Sequence, residues 1–433
     1  MIRWILHGIL RDKTRSLFPF LVVTVGVALV VFFLGFMDGI FMGMIQMTAN
    51  LDTGHLRFVN KPYYEEEYLK PMDRALAAQK EIHAWLKQNS DPDIQWSPRI
   101  RWGAIMDVPD NKGETRSQTP VMGMALKLLD PDSPEPDRLK LKDSLARGRL
   151  PRKSREMLVG YGLAKTLEID VGNTVTLIGQ SFDGGLATDN YKVVGIIRFG
   201  VFAMDKKMAL IDLADAQDTF YMEDMVTDWL GFLPTRVSYQ EYAKKKAGIE
   251  AALADLMRYP PKEWAPDDEP IVLSIMDQRN LANMARIYEL VRKILVGIFV
   301  FLMGLVLWNA GLLNVIHRYG EIGLYLALGE THARLVWILG LEAFSVGVLG
   351  SLAGCLIGGG AVFYLQEVGI NFGDAFAQTG LMLNDVARGR VSLEGFVLGM
   401  VPGMLASVLG TLIASLAIFK RSEANLFREL EAG

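Results

Sequence analysis

The chain has 433 residues, 51% apolar and 22% charged, with a mean hydropathy of +0.22. Soluble enzymes rarely average hydrophobic and buried membrane bundles hold fewer charges, so a few spans plus one large polar domain are expected. The 45 Lys and Arg against 49 Asp and Glu leave a net charge of −4, without a nucleic-acid binder's basic excess, and the single cysteine excludes an internal disulfide.

Four runs are long enough to cross a bilayer, which takes about 20 residues. Ser16 to Met37 holds no charge in 22 residues, Ile294 to Ile316 none in 23, and Gly395 to Phe419 none in 25. Leu335 to Gln366 is 32 residues with only Glu342 charged. The first run reads as a retained anchor, because it is too long for a cleavable signal and no A-x-A-like site follows. Arg3, Arg11, Lys13 and Arg15 precede it against the single acid Asp12, so the positive-inside rule puts that end in the cytoplasm. With four spans both termini are then cytoplasmic, and Lys420, Arg421 and Arg428 agree.

The expected fold is a membrane protein of four transmembrane α-helices (1+3), with a large α+β periplasmic domain inserted between the first and second. Its segments are an entry segment (1–15), span 1 (16–44), the periplasmic domain in two subdomains (45–285), span 2 (286–316) and a cytoplasmic loop (317–333). Span 3 (334–366), a short periplasmic loop (367–393), span 4 (394–419) and a cytoplasmic tail (420–433) follow.

Glycines at four-residue intervals, Gly35/Gly39/Gly43, Gly350/Gly354/Gly358 and Gly399/Gly403, let helices approach closely in lipid. Glycine is also simply common in membrane helices, so dimerisation through these ladders is an open reading. In the periplasmic domain, periodicity predicts helices over Arg74 to Gln88, Leu213 to Tyr221 and Tyr239 to Met257. Strand-like runs are Arg101 to Val108, Pro120 to Leu126, Thr174 to Ile178, Lys192 to Arg198, Met208 to Ile211 and Asp228 to Leu233. The proline-rich stretch Asp130 to Asp137 reads as a surface loop.

A search for chemistry finds little. The histidines His7, His55, His83, His317 and His332 are scattered, and Gly179 to Gly184 misses a nucleophile elbow by one residue. The sequence carries no G-x-x-x-x-G-K-[ST], so no P-loop and no catalytic or metal residues are assigned. No row of charges lines a span, and Glu342 reads as an interfacial structural residue that snorkels or pairs.

The stretch Arg318-Tyr-Gly-Glu321-Ile322-Gly323-Leu324-Tyr325-Leu-Ala327-Leu328-Gly329 resembles the R-x-x-E-I-G-x-x-x-A-x-G signature of the FtsX-like, MacB-type permease family. On its own terms it predicts a short helix bounded by Gly320 and Gly329, with Ile322, Leu324, Tyr325 and Leu328 as an apolar face and Arg318 paired to Glu321. Ile2, Ile5, Leu6, Ile9 and Leu10 are similar to the apolar side of the family's amphipathic entry helix. Leu158 to Val175 resembles a G-x-x-L-A-x-x-L-x-x-x-x-G-D-x-V/I stretch, with Asn173 in place of the usual Asp, and Tyr191 to Ile197 resembles the strand that follows it.

The resemblance implies a membrane subunit of a mechanotransmission ABC transporter, in which Arg318 to Gly329 docks a separate soluble ATPase. ATP and Mg would sit on that partner, with no cofactor bound directly. It further implies pairing with a second copy or a paralogue, contact with membrane lipids, and a periplasmic carrier or adaptor as a further partner. The size of the outside domain is similar in layout to lipoprotein-releasing (LolC/LolE-like) permeases. A non-transporting regulator of a periplasmic cell-wall hydrolase and a permease of a tripartite efflux system are the alternatives.

Overall fold

The four apolar runs become four long helices in the computed structural model, which describes residues 13–110, 112–234, 239–317, 319–371 and 386–419. The helices run over Lys13–Thr48, Leu281–His317, His332–Val368 and Leu393–Phe419, and each is long and apolar enough to cross a membrane. Residues 1–12 and 420–433, which contain most of the expected entry segment and the whole tail, lie outside the described residues.

Contacts divide the chain into two units, one holding the spans and one holding Gly43–Met284. The span unit packs around Val23, Val27, Val31, Met303, Leu307 and Ala406. Span 2 is the least enclosed, with 11% of its most apolar stretch buried against 28%, 33% and 44% for the others. It turns Ile294, Ile298, Phe301, Leu302 and Leu305 outward, a face suited to hydrocarbon. Glu342 lines a small cavity of about 40 Å³ with Pro19, Leu307, Leu339, Ser407 and Thr411, facing residues of the other three spans.

Among the described residues the outside unit is built on ten strands: β1 (Leu56–Asn60), β2 (Gln95–Pro109), β3 (Thr115–Leu126), β4 (Leu145–Gly148), β5 (Glu156–Gly160), β6 (Thr174–Gln180), β7 (Leu186–Ile197), β8 (Met208–Asp212), β9 (Asp228–Phe232) and β10 (Pro270–Ser274). Their order is β10-β1-β9-β2-β3-β8-β5-β7-β4, and β6 bridges β2 and β7. The circuit β2-β3-β8-β5-β7-β6 therefore closes back on β2. Closure pairs strand edges that would otherwise be open. Pairs β3/β8 and β5/β7 are parallel, so the domain mixes α/β crossovers with antiparallel meanders.

β2 belongs to both halves of the sheet. Gln95 to Arg99 pair with β9, and Ile100 to Pro109 pair with β3. Trp102 is fully buried and lies opposite Gly123, where any side chain would run into its indole. This cross-strand pair needs a glycine for space.

Several expectations require correction. The helix predicted over Arg74 to Gln88 starts at Gln79, because Ala78 takes a left-handed φ of +60° after a 3-10 turn over Met72–Arg74. β1, β4, β5 and β10 were not expected, and β2, β3 and β7 begin well before their predicted starts. The proline-rich stretch Asp130 to Asp137 does lie at the surface as expected, and one of its side chains anchors it. Its Glu135 is fully buried between Arg99 and Arg138, each 2.8 Å away. Burial would raise the Glu135 carboxyl, but the two guanidiniums hold it below the ordinary carboxylate value.

Candidate functional site: the helix between the second and third spans

A nine-residue helix, Tyr319–Ala327, follows span 2. Its end is set by Gly329, whose φ of +91° only glycine adopts without strain. The Glu330 N–H then reaches back to the Tyr325 carbonyl at 3.1 Å, closing a Schellman turn. Thr331 turns the chain into span 3, and Arg334 pairs with Glu330 at 3.1 Å.

Leu324, Tyr325 and Leu328 are 62%, 44% and 73% exposed, and Ala327 and Gly323 are exposed beside them. A Cβ added at Gly320 or Gly323 would meet nothing within 4 Å. A short helix therefore presents an apolar face that is left exposed among the described residues. Covering the three large side chains would contribute on the order of 4 kcal/mol before the cost of association. Arg318 and the side chains of Glu321 and Ile322 lie outside the described residues, and with them the expected Arg318–Glu321 pair.

The packing glycines other than Gly43 lie against neighbouring segments of the same chain. A Cβ at Gly350 would lie 3.0 Å from Val23, one at Gly354 2.6 Å from the Thr24 carbonyl, and one at Gly358 2.5 Å from the Ala28 carbonyl. One face of span 3 thus lies directly on the backbone of span 1. Gly35 abuts Val362 at 2.7 Å, Gly39 abuts the Arg388 carbonyl, and Gly399 and Gly403 abut Val31 and Val27, whereas Gly43 faces open space.

A polar junction that sequence reasoning missed joins spans 1, 2 and 4. Asp38 accepts hydrogen bonds from the Tyr288 hydroxyl and, at 3.3 Å, from Ser392. Arg292 lies 3.8 Å from Asp38 and 2.6 Å from Glu394. The signal was present at the ends of the uncharged runs. Asp38 directly follows the first, Arg292 and Lys293 precede the second, and Glu394 precedes the fourth.

In the outside unit, Leu158 to Val175 forms the end of β5, the helix Tyr161–Leu167 and the turn into β6. Asn173 accepts the Asp170 N–H through its side chain at 2.7 Å, a role its replacement of Asp preserves. Among the described residues no group of three or more His, Cys, Asp or Glu could hold a metal ion.

The C-terminal spans match the sequence model of the FtsX-like permease C-terminal region over residues 293–422, and residues 17–256 match the MacB-like periplasmic core domain. The chain belongs to the FtsX-like, MacB-type family of ABC transporter permeases. An uncharacterized ABC transporter permease protein of Mycobacterium tuberculosis is 22% identical over 278 residues, covering 64% of this chain and 28% of that protein. The lipoprotein-releasing system transmembrane protein LolC of Neisseria meningitidis is 22% identical over 214 residues, 47% of each chain. This permease thus spans less than half the length of either relative. The periplasmic region of MacB from Actinobacillus actinomycetemcomitans matches with a TM-score of 0.34 and 12% identity, over 55% of this chain and 95% of that one.

Proposed function

We propose that this permease is the membrane subunit of an ABC transporter whose separate ATPase docks on the helix Tyr319–Ala327. The observation that carries the reading is the exposed face of Leu324, Tyr325 and Leu328 on a helix held by short turns at its end. An apolar helix face laid into a groove is a recurring mode of partner recognition. Arg318, Glu321, Ile322, Gly323, Ala327 and Gly329 complete the docking segment, and ATP and Mg are bound by the partner. Both termini face the cytoplasm, and the periplasmic domain works on a lipoprotein or another lipid-linked substrate together with a second permease copy or paralogue and a carrier. The likeness to LolC supports that substrate class.

Purification of the full chain from membranes tests the docking site. A soluble P-loop ATPase is expected to accompany it, and Leu324→Glu with Leu328→Glu is expected to abolish the association while the chain still inserts. Association unchanged by these substitutions refutes the site. Normal lipoprotein sorting in membranes lacking the protein refutes the substrate class.

A further inference from the structure

Six charged side chains in the outside unit close into a ring of alternating sign. Arg101 pairs with Asp52 and, at 3.0 Å, with Asp228. Asp228 pairs with Arg57 at 3.1 Å, and Arg57 with Glu67 at 2.6 Å. Glu67 pairs with Arg279 at 2.7 Å, and Arg279 returns to Asp52 at 2.8 Å. Every guanidinium has two carboxylates and every carboxylate two guanidiniums, so the ring is neutral. Burial alone would raise the Asp228 carboxyl, but Arg101 and Arg57 hold it below the ordinary value. Five members are buried or nearly so, and Arg279 is half exposed.

The ring gathers residues far apart in sequence at the two points where the chain leaves regular helix. Asp52 lies in a π-helical turn, Ala49–Thr53, at the end of the helix that forms span 1. Arg279 stands two residues before the helix Leu281–His317. Arg279 and Asn280 both take left-handed backbone, with φ of +50° and +58°. Non-glycine residues keep such a conformation only where their surroundings hold them, and here it stops the helix from running further toward its N-terminus. Gln278 adds a second tie, accepting from Arg57 at 3.3 Å and donating to the Thr53 carbonyl at 3.4 Å.

We propose that the ring is a latch that holds the segments 49–53 and 278–280 in one strained arrangement, and that opening it at Arg279 lets Gln278 to Asn280 wind onto the helix beginning at Leu281. The two segments then have two discrete states and switch together, so loosening either loosens the other. The latch stands on the geometry of one unit. That movement of the spans works it rests on the permease reading above.

Hydrogen–deuterium exchange on the full chain in nanodiscs, without any ATPase, tests the latch. Arg279→Gln leaves Asp52 with Arg101 and Glu67 with Arg57, so the fold is retained. It is expected to accelerate exchange at least about tenfold in peptides covering 49–53 as well as 275–280. Arg279→Lys restores most of the protection. Asn280→Gly, which fits the left-handed backbone, slows exchange in both segments. Acceleration confined to 275–280 in Arg279→Gln, or no slowing in Asn280→Gly, overturns the proposal. Either outcome leaves the ATPase docking site standing, and loss of that site leaves the latch standing.

Discussion

Replacing Gly354 by alanine places a methyl group where span 3 meets span 1. The new Cβ would lie 2.6 Å from the Thr24 carbonyl oxygen, 2.8 Å from the Val27 Cβ and 3.1 Å from the Ala28 nitrogen. Two of these atoms are backbone, so no rotamer change relieves the contact, and the spans must part by roughly 1 Å to recover ordinary separation. Overpacking of this kind costs about 1–3 kcal/mol. Alanine also gains about 0.8–1 kcal/mol of helix propensity over glycine, which masks part of the loss. Gly360 supplies the control, because it lies in the same helix and its Cβ would meet nothing within 4 Å. The propensity gain is common to both substitutions, so the difference in stability between them isolates the packing cost at about 2 kcal/mol. Reversible unfolding of the two variants in the same detergent micelles measures that difference. Equal stabilities, or a less stable Gly360→Ala, would refute close packing of span 3 on span 1.

Glu135→Gln leaves Arg99 buried without its carboxylate and is expected to destabilise the outside unit by about 3–5 kcal/mol, read from denaturant titration of tryptophan fluorescence. Gly123→Val forces the indole of Trp102 from its site, with loss of the near-ultraviolet tryptophan dichroism as the readout and an unchanged spectrum as the contrary result. Glu156 is held down to about 2 by hydrogen bonds from Arg149, aided by the N–H groups of Arg152 and Lys153 against the opposing effect of burial. Its folded value lies below the unfolded value of about 4.3, so its contribution is complete above that pH and disappears as pH falls toward 2. Glu156→Gln is therefore expected to flatten the acid limb of the stability curve between about pH 4 and pH 2.

The spans were legible because lipid imposes one requirement on twenty consecutive residues, and charge-free runs met it without regard to what they pack against. β1 was hidden for the opposite reason. Leu56-Arg57-Phe58-Val59-Asn60 is buried at every position, yet Arg57 and Asn60 interrupt its apolar character. Glu67, Asp228 and Gln278 around Arg57, and Asp268 with the Arg74 carbonyl around Asn60, up to 221 residues away, make those two polar groups tolerable inside. The same holds for β2, where Arg99 and Arg101 lie within a consecutive run of buried residues. The start of the helix at Gln79 was lost to a single left-handed residue, Ala78, which no propensity scale singles out. In the span unit, Asp38 falls inside the expected span 1, directly after its charge-free run, and its partners Tyr288 and Ser392 reach it only through the packing of spans 1, 2 and 4.

The doubly paired strand β2 has a consequence for how this chain tolerates insertions and deletions. Arg99 is in register with Asp228 of β9, and one residue later Ile100 is in register with Ala125 of β3. A residue added or removed at this changeover shifts one half of the domain against the other by a full position. It turns every side chain downstream to the opposite face of its sheet. The hairpin between Pro109 and Thr115 carries no such double constraint. Length variation among relatives of this chain should therefore collect at that hairpin and be missing from residues 97–104, which an alignment of homologues would reveal as a gap-free block centred on the changeover.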